Sequence, residues 1–558
     1  MKKLLLLLSI AFCVGQIHGQ TWLWAKGAAD TSSNAANEGW AITTDTSGNS
    51  YSTGGFNTNT ISFGTTTLTN TGGYYDVFLA KYDSNGLPIW ATKPNSTETA
   101  DNFAMSVCSD LNANIFLTGG FGSSQLSFGT YTLNNAGSDD VFLAKYDKNG
   151  NILWAKSVGD SASDYGYAVS ADITGNVFMV GNFGSKKITL GTYTLTNTSS
   201  FLGSYNFFIA KYDLNGNVLW AKNDIDTSGG AAAYSVSTDV SGNAYVTGHF
   251  YSSIVIGSYT LTNTSNNNSV FLAKYDPNGN VVWAKSSSGS SSARANCINV
   301  DPSGNIFITG YYQSPNIIFG TDTLVPDSAW GGMSTAMFIA KYDANGNVLW
   351  AKSTGGTYHD EGYSVSSYTG GVFVSGGFQS PSINFGSYTL TQPPNSSDPM
   401  FIVEYDLNGE VICASALTSG GDDQNGLSVD KHGNAYITGD YIVSPVFVVG
   451  SDTLAYTPGE EFFVAKWLGN CNNIGINQVN KYNELNVYPN PTSDQFFIEA
   501  NTNDKLNVDL YDVNGRHVFS ANVNNKSNIS IASFDNGIYT LTIKTADRVT
   551  NKKLVIAR

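Results

Sequence analysis

The sequence predicts an all-β chain, and three observations predict it. A phrase of the type "KYD" returns at near-constant spacing, with its aromatic at Tyr82, Tyr146, Tyr212, Tyr275, Tyr342 and Tyr405 and Trp467 in the seventh place. Each copy is written as apolar-rich runs flanking Asn-Gly turns, which is the grammar of tight hairpins. The repeat region also begins and ends on half a hairpin, opening with "TWLWAK" (21–26) and closing with "EFFVAKW" (461–467).

Composition agrees. Only 13% of the 558 residues are charged, against roughly 25% in an average globular protein. Ser, Thr, Asn, Gly, Tyr and Phe take their place, the mixture of short strands and turns rather than of helices. A formal net charge of −16 argues against a nucleic-acid partner, because such proteins concentrate Lys and Arg.

Two further phrases share the period. One reads "DTSGNSYSTGGF" at 45, "DITGNVFMVGNF" at 172 and "DKHGNAYITGDY" at 430, and the other "FGTTTL" at 63, "FGTYTL" at 128 and "FGSYTL" at 385, each seven times in all. The SGN phrase joins one hairpin and the DxNG phrase another. Each unit therefore supplies four strands plus an excursion carrying the FG/TL phrase. Four strands taken seven times is the arithmetic of a seven-bladed β-propeller; a β-solenoid would use shorter periods. The half copies complete one another, so the first strand of the region becomes the outer strand of the last blade. Closure removes the unpaired edges that terminal blades would expose. This phase places the crossing loops and the FG/TL excursions on one face and the tight turns on the other.

The N-terminus reads as an address. Lys2 and Lys3 precede the apolar stretch from Leu4 to Val14 and a polar end at Gly15 to Gln20, the layout of a secretory signal peptide over residues 1–20. No later segment has the apolar length of a membrane helix. The mature chain keeps Cys108, Cys297, Cys413 and Cys471 at different phases of the repeat; two of them can pair in an oxidising compartment, and spacing does not say which.

With these phrases in view, residues 21–470 resemble the SBBP family of bacterial β-propeller repeats, which implies fold and secretion more than an activity. After a linker at 471–485 the pattern changes. "NVYPNPTSDQFFIEA" (486–500), "LYDVNGRHVFS" (510–520), "NGIYTLTI" (536–543) and the basic-then-apolar end "KKLVIAR" resemble the type A C-terminal sorting domain of the type IX secretion system of Bacteroidetes. The resemblance rests on Tyr488, Pro489, Asn490, Pro491, Asn514, Gly515, Gly537, Tyr539 and Lys553. It implies a small Ig-like β-sandwich at 486–558, handling by the type IX machinery, removal of this domain, and release or anchoring at the outer-membrane surface.

Catalytic chemistry is sparse. The histidines His249, His359, His432 and His517 form no HExxH or CxxC-type pattern, and GxSxG and Walker-type loops are missing from the sequence. The Asp of each DxNG turn looks like part of a calcium loop but lacks the distal acids, so a turn-capping role is expected. The repeated aromatics Phe56, Phe121, Phe183, Phe250, Tyr312, Phe378 and Tyr441 are expected to form a packing layer rather than a sugar platform. Lys81 and its equivalents are expected to be solvated.

The variable loop positions are the better candidates. Glu38, Asp101, Asp164, Asp360, Glu361, Asp422 and Asp423 place an acid near the start of the inner strand in five of seven units, while Gly229-Gly230 and Arg294 break the pattern. Gathered at one mouth of a closed ring, these acids could hold a cation such as calcium, or a polyhydroxylated ligand; the plainer alternative is solvated loop charge. Beside them Asn182, His249, Tyr311 and Asp440 stand where other units have Gly. The expected function is a secreted or surface binding and adhesion module for a glycan, matrix or protein ligand, without a cofactor. The alternatives are a polysaccharide hydrolase or lyase, for which His359-Asp360-Glu361 is the compact cluster, and a purely structural surface protein.

Overall fold

The computed structural model describes residues 22–557 except 29–34, 71, 73, 97–99, 200–202, 227–229, 264, 266, 314, 327–333, 393–397, 418–425, 442–445, 450–451, 456–458, 469–484, 489–491, 501–504, 513–515, 525 and 545–548. The expected signal peptide, nearly all of the linker, Asp422, Asp423, Pro489, Asn490, Pro491, Asn514 and Gly515 lie outside these residues. The described residues are all β, with no helix among them. The chain divides into two compact units, Gln20–Asn470 and one holding Cys471–Arg558.

The described residues of the larger unit form seven four-stranded antiparallel sets, the first and seventh joined into one eight-stranded sheet by a short parallel pairing of Ala35 and Ala36 with Gly459 and Glu460. The third, for instance, runs Asp164–Ala171, Val177–Phe183, Asn206–Tyr212 and Val218–Asn223. The seventh is assembled from both ends of the unit: Gly426–Val429, Asn434–Tyr441 and Gly459–Leu468 are completed by Trp22–Gly27, whose Ala25 faces Ala465. Each FG/TL phrase folds into its own small hairpin between second and third strands, such as Lys187–Leu190 with Tyr193–Thr196. In four of these hairpins a tyrosine hydroxyl donates to an outer-strand carbonyl, as Tyr193 does to Leu219 at 2.7 Å.

The tight turns follow from their residues. In each DxNG turn the Asp carboxylate accepts backbone N–H groups two and four residues on, as Asp213 does from Asn215 and Asn217 at 2.8 Å. Gly216 there adopts φ 77°, a left-handed conformation that costs glycine little. The carboxylates are thus spent on their own turns.

Neighbouring meanders are stapled by the same phrase. A Lys ammonium and a Trp indole of one sheet both donate to one turn carbonyl of the next: Lys81 and Trp90 to Lys148, Lys145 and Trp154 to Leu214, Lys211 and Trp220 to Pro277, Lys274 and Trp283 to Ala344, and Lys341 and Trp350 to Leu407, all at 2.8–3.4 Å. Lys466 and Trp24, one from each end of the unit, repeat the contact onto Ser84 of the first sheet. The expectation of solvated lysines is therefore corrected. Lys81, Lys145, Lys211, Lys341 and Lys466 are buried, each over an aromatic ring at 4.7–5.4 Å, because the apolar stem packs while the ammonium finds a carbonyl and a π face. The sixth sheet has Glu404 and Cys413 at these positions. Cys413 is disulfide-bonded, while Cys108 and Cys297 are free thiols.

The smaller unit pairs a three-stranded sheet (Leu485–Tyr488, Gln495–Ala500, Lys526–Ser530) with a four-stranded one (His517–Val523, Leu506–Tyr511, Gly537–Lys544, Val549–Ile556). Alternating residues such as Ile498, Val508, Leu510, Leu541, Ile543, Leu554 and Ile556 share one core, as strands with one buried face require. Tyr488 stacks on Phe497 with ring centroids 5.8 Å apart, and the Tyr539 hydroxyl donates to the Asp535 carbonyl at 3.0 Å. Gly537 opens the strand that pairs with the one carrying Lys553.

Candidate functional site

The seven first strands pack side by side in chain order, and Ala35–Thr44 packs against both Asn102–Ser109 and Gly426–Val429. In six of them the ladder to the second strand skips one residue at the same place: Trp40, Met105, Tyr167, Tyr234, Asn296 and Tyr363. A bulge of this kind bends the strand and re-aims the extra side chain. All six skipped residues line a single cavity of about 440 Å³ where the first strands meet. The seventh copy has Asn425 there, outside the described residues.

The repeated glycine of the "TG" phrase is the partner of the bulge. A Cβ built on Gly54, Gly119, Gly181, Gly248, Gly310 or Gly376 would lie 1.7–2.1 Å from a first-strand carbonyl oxygen. Only a residue without a side chain lets the bulged backbone fold that close. The next position then differentiates the sheets. Gly55 leaves room for Trp40, whose ring a Cβ there would meet at 2.5 Å, whereas His249 and Tyr311 fill that position themselves.

Aromatic contacts run along the lining. Trp40 packs against Tyr75 and Phe103 at 6.0 and 5.6 Å. Tyr167 meets Tyr234 edge-on at 5.3 Å, and His249 stacks on Tyr234 at 5.5 Å. The Arg294 guanidinium lies over the Tyr234 ring, 3.7 Å from its centroid. Burial, and secondarily the Arg294 charge, push His249 down to about 4, so its ring is neutral at neutral pH. Burial raises the Tyr311 hydroxyl, with the adjacent Arg294 pulling the other way and Glu361 adding to the rise.

The acids named from sequence are scattered by this geometry. Glu361 and Tyr311 line the cavity. Glu38 stands behind Trp40, accepting from its indole at 2.8 Å and from the Tyr75 hydroxyl. Asp101 accepts the Tyr75 amide at 3.0 Å. Asp164 and Asp360 are fully buried and do not line the cavity. Asp360 accepts from the Gly356 amide at 2.6 Å and from both the amide and hydroxyl of Ser380; Asp164 does the same with Asp160 and Ser185. Both are loop clasps. Burial raises each carboxyl while these donors oppose the rise. His359, of the cluster with Asp360 and Glu361, contacts the Thr335 hydroxyl at 3.2 Å. No group of three or more metal-ligating side chains occurs among the described residues. The aromatics of the packing layer are buried, Phe56, Phe121 and Phe183 completely.

Sequence reasoning passed over Trp40, Tyr167, Tyr234 and Tyr363. The signal was present: each stands immediately before a small residue and two before a β-branched one, "WAI", "YAV", "YSV" and "YSV", at one phase of the repeat. Read as plain alternation, that phase hides the bulge that turns it inward.

Residues 486–557 match the family model of the secretion-system C-terminal sorting domain. An uncharacterized WD repeat-containing protein of Acanthamoeba polyphaga mimivirus is 26% identical over 330 residues, 49% of this chain and 24% of the relative; the chain thus matches about a quarter of that relative's length. Among solved structures, a protein of unknown function from Dyadobacter fermentans is similar at 12% identity, covering 65% of this chain and 93% of its own, with a TM-score of 0.33. An ulvan lyase is similar at 8% identity, covering 77% and 96%, with a TM-score of 0.37. At these scores neither likeness bears on function. No helix among the described residues is long and apolar enough to cross a membrane. The chain is an all-β protein that carries a type IX sorting domain at its C-terminal end and is exported to the cell surface or the extracellular space.

Proposed function

We propose that residues 21–470 form a closed seven-bladed β-propeller of the SBBP-repeat kind that binds a glycan through its central cavity. Residues 1–20 act as its signal peptide, 471–485 as a linker and 486–558 as the address for the type IX machinery. The observation that carries the reading is the set of inward bulges, which present Trp40, Tyr167, Tyr234 and Tyr363 around one cavity. Aromatic faces receive the apolar faces of sugars, while Asn296 and the tyrosine hydroxyls supply oriented hydrogen bonds. The "WD repeat" in the mimivirus relative's name supports the same architecture. A framework repeated sheet by sheet, with differences concentrated at the cavity, suits recognition of a ligand more than a uniform structural role.

The test is retention of the secreted protein on an immobilised glycan panel, with calcium and with chelator, reading released product in parallel. Retention of at least one glycan, lost in Trp40→Ala and Tyr234→Ala and without released product, is the expected outcome. Chelator should leave it unchanged, since Asp164 and Asp360 spend their oxygens on their own loops. Retention indifferent to both aromatic variants would remove the cavity from consideration, and released product would make the protein an enzyme.

A further inference from the structure

Arg294 is the cation of the cavity lining among the described residues, in a chain of net charge −16, and Glu361 is the acid. It occupies the first-strand position held by Glu38 and Glu361 in two other sheets, as their ladder partners Gly55, Gly377 and Tyr311 show. The framework is repeated; the charge is reversed at one place.

One part of its guanidinium is engaged, donating to the Tyr311 hydroxyl, and another is not. The Nε of Arg294 is buried and has no hydrogen-bond partner, and the residue makes no ion pair among the described residues. The guanidinium carbon lies 3.7 Å from the Tyr234 ring centroid, a contact that leaves the Nε–H without an acceptor and available to a ligand. On the same ring, His249 also presents a buried Nδ1 without a partner. A buried donor without an acceptor is costly, and an anion accepting from that Nε–H would relieve the cost. An Arg edge fits a two-oxygen anion in bidentate fashion.

We propose that Arg294 seats an anionic substituent, a carboxylate or a sulfate ester, of an acidic polysaccharide whose sugar faces lie on the surrounding aromatics. The inference rests on the glycan-binding reading of the cavity and names the class of glycan. Glu361 is the acid of the same lining, so an anion is drawn to Arg294 and repelled from Glu361.

The experiment titrates the full secreted chain with three probes of matched length: an oligogalacturonate, a sulfated galacto-oligosaccharide and a neutral galacto-oligosaccharide. Wild type is expected to bind at least one acidic probe about tenfold or more tightly than the neutral one, with affinity falling as salt rises. Arg294→Gln should lose that preference while retaining neutral binding. Arg294→Lys should keep part of it, because an ammonium supplies charge without the planar fork. Preference for either acidic probe supports the proposal and identifies the anion. Neutral and acidic probes binding equally, or Arg294→Gln weakening both alike, overturns it while leaving the glycan cavity standing. Binding of no probe, charged or neutral, overturns both readings. If Arg294→Gln fails to fold, the salt dependence and the Lys variant decide by the same criteria.

Discussion

Trp24 sits where the first and last strands of the larger unit pair and allows a quantitative test of that pairing. It is 7% exposed, donates its indole N–H to the Ser84 carbonyl at 3.2 Å, meets Tyr436 edge-on at 6.1 Å and lies against Gly86 of the first sheet. Truncating a buried Trp costs about 3–5 kcal/mol. Trp24→Phe keeps most of the apolar contact and loses the N–H, which alone is worth about 1 kcal/mol. Trp220 makes the same contacts in mid-chain, onto the Pro277 carbonyl at 3.0 Å and against Gly279, and so serves as the internal reference. Urea unfolding of the secreted chain, followed by intrinsic fluorescence and far-UV dichroism, should place Trp24→Ala and Trp220→Ala within about 1 kcal/mol of each other, with Trp24→Phe between them and wild type. A loss below about 1 kcal/mol for Trp24→Ala beside a full loss for Trp220→Ala would refute the reasoning. It would mean that the strand Trp22–Gly27 frays and that the seventh sheet is held by its other three strands.

Two further outcomes follow from the site. Asp360→Ala should cost about 1.5–3 kcal/mol by orphaning the donors of Gly356 and Ser380 without weakening saccharide retention; loss of retention at unchanged stability would put this acid back in the site. His249 should titrate near 4 by NMR, against about 6.5 for an exposed ring. Its folded pKa lies below the unfolded one, so its contribution is full above pH 6.5 and is lost as pH falls toward 4, on the order of 3 kcal/mol. Asp140, pushed by burial up to about 6, has the opposite slope, so the measurement compares wild type with His249→Gln, and an equal acid slope in both would refute the assignment.

The sequence by itself determined the all-β character, the period, the turns and the C-terminal address, because these rest on local chemistry. Asn-Gly and Asp at fixed offsets specify a turn wherever they stand, and the sorting motifs are short ordered strings. Even the pairing of "TWLWAK" with "EFFVAKW" was legible, since each half-hairpin lacks only the other. Tertiary structure decided what each repeated residue is used for. The lysine of "KYD" is polar and reads as solvated, yet in the fold its neighbour's turn brings a carbonyl within reach and it is buried. Asp360 adjoins Glu361 and Asp164 holds the same register as Asp360 in another sheet, yet register sends both into loop clasps and Glu361 to the cavity. Period-two alternation assigns faces only while the ladder is regular. One skipped residue, permitted by a glycine on the neighbouring strand, turns Tyr167, Tyr234 and their counterparts inward, and that depends on two strands lying closer than any single strand can specify.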